Sequence, residues 1–217
     1  MIKLLVTIFL LFSLSSCIEL LDDIKINSDG SGTFKYSINL SSSKLKTESI
    51  LALDSLDGNR VVKKPELISM IEIFKNQLAL QSGIRNVVVT YDFETFLFKL
   101  SCDFDNVMDL ESAITKSLEK SMNIEFENYE SMISVNSSEV TRFTPQIVTD
   151  HLTKSNYLNM DLLKTGTYTT ITRLDKPVIS NSNELAKVSK SGQSVMVRVS
   201  CDELLNNSQV LDNKISF

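Results

Sequence analysis

Three cysteines and one histidine are the side chains of this 217-residue sequence best suited to nucleophilic or metal chemistry. A zinc site draws Cys and His ligands at short spacings, and a redox dithiol needs Cys-x-x-Cys. Cys17, Cys102 and Cys201 stand far apart, and His151 has no second histidine or cysteine near it. The histidine therefore reads as a surface or internally satisfied side chain. The sequence contains no Gly-x-Ser-x-Gly elbow, P-loop or dinucleotide-binding glycine motif. A serine triad would have to recruit His151 without a nucleophile elbow. Two carboxylates flanking a sugar could run glycoside hydrolysis, and Asp22/Asp23, Glu125/Glu127 and Glu127/Glu130 are paired closely enough in sequence to consider. With no tryptophan to supply a sugar platform, these acids read as a solvated face. No catalytic residue, cofactor or metal is expected, and the chain is not expected to be an enzyme.

Cys17 invites a different chemistry. A basic start with Lys3 is followed by an apolar run from Leu4 to Leu14, too short for the ~20 residues of a bilayer span. That pattern is a secretory signal peptide. Leu14-Ser15-Ser16-Cys17 then resembles the bacterial lipobox, an aliphatic residue and two small residues before a cysteine. The resemblance implies diacylglycerol transfer to the Cys17 sulfur and cleavage between Ser16 and Cys17. Residues 1–16 are expected to be the signal, 17–23 a lipidated tether, and 24–217 a single domain. Ile18 follows Cys17 in place of the aspartate that retains enterobacterial lipoproteins in the inner membrane. The expected location is the outer membrane, facing the periplasm.

The net charge of −5 becomes one unit more negative once Lys3 is removed with the signal. Without a lysine or arginine cluster, this charge excludes nucleic acid and polybasic docking on anionic lipid. The membrane is instead reached through lipid on Cys17. A content of 42% hydrophobic and 23% charged residues is that of a globular domain with a core.

The elements that would make up this domain are legible from periodicity. Asp29-Gly30 suits a tight turn between two alternating arms, the first carrying Ile24 and Ile26, the second Phe34, Tyr36 and Ile38. Serines 41–43 offer caps to a helix over about 44–56. A second helix from Pro65 places Leu67, Ile71, Phe74 and Leu78 on one face. Strands over 84–93 and 95–104 follow, then a helix capped by Asp105 or Asn106 that turns Val107, Leu110, Ile114 and Leu118 inward. Strands are expected at 131–135 and 139–143, and a mixed polar segment follows Pro145. The last part returns to strands, a turn at Ser191-Gly192, a short helix over 202–207 and a final strand. The fold class is α+β, an antiparallel sheet built from hairpins and packed against about three amphipathic helices. A smaller β-rich lobe from about residue 165 is one arrangement this allows.

Thr95–Phe104 and Ser194–Leu204 repeat a pattern of alternating apolar residues, a basic residue and Ser-Cys-Asp. Two readings of Cys102 and Cys201 stand. If the two strands are parallel neighbours, the thiols share one end of the sheet and can form a disulfide; otherwise they are buried free thiols acting as small hydrophobes.

The lipobox, the Asp-Gly-Ser-Gly hairpin, the Gly83–Val89 strand followed by Thr95–Phe104, and the closing segment from Ser191 are together similar to a family of Bacteroidota envelope lipoproteins. Ser191-Gly-Gln-Ser stands where that family has an Asp-Gly turn, and Asn206-Asn-Ser where it has Asn-Pro. The resemblance implies an α+β fold and an envelope location, with no activity or site residues attached. Two functions follow as expectations. The first is a non-catalytic lipoprotein that binds an envelope protein partner as an accessory subunit. The second is a binding module for a hydrophobic ligand such as a lipid, which requires an apolar cavity between sheet and helices.

Overall fold

The computed structural model describes residues 18–56, 58–126, 131–145 and 164–217. The lipobox, Cys17, Glu127, Glu130, His151 and most of the segment after Pro145 lie outside these residues. In chain order the described elements are β1 (Glu19–Ile26), β2 (Gly32–Asn39), α1 (Lys44–Ala52), β3 (Ser55–Leu56), β4 (Asn59–Arg60), α2 (Lys64–Ala79), β5 (Ile84–Asp92) and β6 (Leu97–Phe104). Then come α3 (Val107–Met122), β7 (Ile133–Val135), β8 (Glu139–Arg142), β9 (Thr167–Leu174), β10 (Ser180–Asn181), β11 (Lys187–Val188), β12 (Ser194–Ser200), α4 (Cys201–Asn206) and β13 (Asn213–Ser216).

The chain is α+β. A seven-stranded sheet runs in the order β11-β12-β9-β1-β2-β6-β5, and a four-stranded sheet in the order β10-β13-β8-β7. The large sheet is mixed, because β1 and β9 pair in parallel while its other pairs are antiparallel. Hairpin signals in sequence report only local pairings, so they miss this one, which joins distant parts of the chain.

Local chemistry explains the elements. Gly30 at φ +87° turns the β1–β2 hairpin, and Asp29 Oδ1 accepts from the Ser31 amide. Pro65 opens α2. The Asn106 side chain caps α3 by accepting from the Asp109 amide, and Ser200 with Glu203 forms a capping box on α4. Helix α1 is shorter than its sequence suggests because Leu53 turns extended.

Two expected boundaries are corrected. Residues 19–23, expected in a tether, belong to β1, which is paired along its length by β2 on one side and β9 on the other. Ile18, just before it, is only 2% exposed. Residues 165–217 do not make a separate lobe, since β9 and β12 lie in the large sheet and β13 pairs with β8.

One face of the large sheet carries the core. The register places Thr170, Asp22, Tyr36, Leu100 and Val89 in one row across five strands, and Thr172, Ile24, Phe34 and Cys102 in the next. Phe74 and Leu78 of α2 and Leu110 and Ala113 of α3 cover this face together with Ile133, Val140 and Ile215 of the small sheet. A second cluster, Leu20, Tyr168, Val199, Cys201, Leu204 and Leu211, closes it under α4.

Candidate functional site

The apolar stripes of α2 and α3 do not fill the space above the sheet. A cavity of about 530 Å³ remains between them, inside the roughly 300–1,000 Å³ of small-molecule sites. Its floor is Phe34, Tyr36, Phe98 and Leu100 of β2 and β6, and its walls include Ile71 and Phe74 of α2 and Ile114 and Leu118 of α3. Leu51 of α1, Met70 of α2 and Phe96 in the β5–β6 turn also line it. Several of these side chains sit on core faces yet stay only half-buried: Tyr36, Ile71, Phe98, Ile114 and Leu118. They face a space instead of one another.

The lining carries four charged residues: Asp92 is exposed at the end of β5, whereas Asp22, Glu111 and Arg142 are buried, at 8%, 5% and 4% exposure. Alternation along β1 puts Asp22 on the same face as Leu20, Ile24 and Ile26, and alternation along β8 puts Arg142 on the face of Val140. Arg142 Nη2 donates to Asp22 Oδ2 at 2.6 Å, which ties the small sheet to the centre of the large one. The pair is incomplete: Asp22 Oδ1 and Arg142 Nε and Nη1 have no hydrogen-bond partner among the described residues. Asp23, on the other face of β1, instead accepts two bonds from exposed Arg173, both 2.8 Å. The Asp22/Asp23 doublet is therefore split between core and surface.

Glu111 is satisfied. Its carboxylate accepts from the Met132 and Ile133 amides at 2.6 and 2.7 Å and from Ser131 Oγ at 2.7 Å. Burial raises its pKa, and these donors together with the Arg142 charge pull the other way. Glu111 thus fastens α3 to the start of β7. Burial and the Asp22 charge also push the Tyr36 phenol far up, and desolvation does the same to Tyr168 beside it.

The helical periodicity puts Ile71, Phe74, Ile114 and Leu118 on inward faces, where they are; Asp22, expected on a solvated acidic face, is instead buried, and Arg142 and Glu111 were not singled out by the sequence. The signal was present. Asp22 and Arg142 fall in register with buried neighbours at period two, and Glu111 sits four residues after Val107 on the inward face of α3.

The alternative of a Cys102–Cys201 disulfide is corrected to two buried free thiols. Their strands β6 and β12 are separated by β2, β1 and β9 and run in opposite directions. The cysteines thus lie in different core clusters. Burial pushes the Cys102 thiol up to about 12 and the Cys201 thiol up to about 11. Both should resist iodoacetamide at pH 8 in the native state and react once unfolded, and dithiothreitol should leave the melting temperature unchanged. A drop in melting temperature under reductant would show that the bond forms after all.

Among the described residues no group of three or more His, Cys, Asp and Glu side chains is arranged to hold a metal ion. No helix among them is long and apolar enough to cross a membrane. The arrangement is a largely apolar space whose buried charged residues, Asp22, Glu111 and Arg142, are part of its wall, a chemistry suited to an amphipathic molecule.

Comparison with family models and with curated proteins finds no match. Among solved structures, the NMR structure of the folded domain of Mycobacterium tuberculosis LppM aligns over 92% of this chain and 87% of its own, at 9% identity and a TM-score of 0.40. The two chains are similar in outline only.

Proposed function

We propose that this chain is a lipoprotein anchored through Cys17 in the cell envelope, whose domain binds a hydrophobic, lipid-like ligand between sheet and helices. The observation that carries this reading is the 530 Å³ cavity with its aliphatic and aromatic lining. The anchor rests on the Leu14–Cys17 motif. Because β1 begins at Glu19, an anchor at Cys17 would hold the domain against the bilayer surface, where such ligands are found.

The alternative role, an accessory subunit for a protein partner, draws on the anchor alone. The most exposed large apolar side chains, Leu45, Leu80, Met108 and Ile179, are distributed over α1, the end of α2, α3 and the loop before β10.

The test is titration of the mature chain, residues 17–217 with Cys17→Ser, with the uncharged fluorophore N-phenyl-1-naphthylamine. Saturable fluorescence at a single site is expected. Ile114→Trp, which puts an indole into the cavity, should weaken binding at least about tenfold, or ~1.4 kcal/mol, while the urea midpoint stays near wild type. No saturable signal from the wild-type chain would remove the proposal.

A further inference from the structure

We infer that the polar corner of the cavity selects its ligand by an uncharged hydrogen-bonding head group, a hydroxyl in the first instance, received between Arg142 and Asp22. This rests on the ligand-binding reading above and specifies the class of ligand. Arg142 and Asp22 are more than nine-tenths buried, line the cavity, and share one hydrogen bond. The remaining inventory is two unpaired donors, Arg142 Nε and Nη1, and one unpaired acceptor, Asp22 Oδ1. Buried polar atoms without partners are destabilising, and native folds rarely keep three together without something to fill them. The complement of that set is a group that accepts from the guanidinium and donates to the carboxylate. A hydroxyl does both with one oxygen.

Charge points the same way. The pair is already balanced, and Glu111 adds a carboxylate within the field of Arg142. An anionic head would enter beside two buried carboxylates, and a cationic head would meet the guanidinium, each at the buried end of a largely apolar lining. An uncharged head meets neither repulsion. The tail then has a path along the floor, from buried Phe34 and Leu100 to half-buried Ile38, Leu51 and Met70.

The experiment displaces N-phenyl-1-naphthylamine from the same mature chain with four probes of one chain length: dodecanol, dodecanoate, dodecylammonium and dodecane, at pH 7.5. Dodecanol is expected to compete at a concentration at least about tenfold below the other three. Arg142→Met alone leaves a buried charge and risks unfolding, so the comparison uses the double variant Asp22→Leu/Arg142→Met. It should still bind the fluorophore, and its preference for dodecanol over dodecane should vanish. Equal competition by all four probes, a lead for dodecanoate, or a preference that survives in the double variant would each overturn the inference while leaving ligand binding intact. Failure of the fluorophore to bind the wild-type chain is a different result, and it falls on the proposed function itself.

Discussion

Arg142→Met is expected to lower stability by about 3–5 kcal/mol, and adding Asp22→Leu should recover most of that loss. The asymmetry follows from burial. Arg142 and Asp22 are 4% and 8% exposed and hold each other across two sheets. Removing the guanidinium strands a carboxylate among Tyr36, Tyr168 and Leu20, whereas removing both charges exchanges an imperfectly bonded pair for hydrocarbon of similar volume. In urea unfolding the single variant should show a clearly lower midpoint at unchanged slope, and the double variant a midpoint close to wild type. Equal loss in single and double variants would mean that the pair itself, not its imbalance, secures the small sheet on the large one.

Phe104→Ala should cost about 3–5 kcal/mol. Phe104 is fully buried at the end of β6, opposite Gly32 on one side and Ile84 on the other. Its ring occupies the space that the missing side chain of Gly32 leaves, and a Cβ at position 32 would meet both that ring and the Lys25 carbonyl oxygen. The two positions therefore behave unlike the ion pair. Gly32→Ala should not rescue Phe104→Ala, because the backbone carbonyl of Lys25 stays in the way after the ring is gone. Thermal melts of the two single variants and the double variant check this; a double variant more stable than Phe104→Ala alone would refute it.

Much of the fold was legible because it is written in local signals. The Asp29-Gly30 turn, Pro65 at the start of α2, Asn106 before α3 and the stripe Leu67–Leu78 each act within a few residues, and the structure places each as expected. What stayed open was non-local. The Ser-Cys-Asp repeat allowed either neighbouring strands or two separately buried thiols, because strand order depends on which distant segments meet, and three strands lie between them. The cavity was equally out of reach: periodicity tells which side of α3 faces inward, not how far Ile114 stays from Phe98. Asp22 was misjudged for another reason. Beside Asp23 it looked like half of a solvated acidic pair, and only the alternation of β1 separates the two.

The parallel pairing of β1 with β9 also fixes when the molecule can finish folding. Glu19 through Ile26 must wait for Thr167 through Leu174, so the centre of the sheet closes over a loop made of most of the chain. Until then the hairpin of β1 and β2 presents an unpaired edge, the geometry that invites intermolecular association. Long loop closure slows folding, so the nascent protein spends that interval with its middle strand exposed. A chain ending before residue 167 would keep that edge open permanently, which makes the segment from Thr167 to Leu174 the latch of the whole sheet.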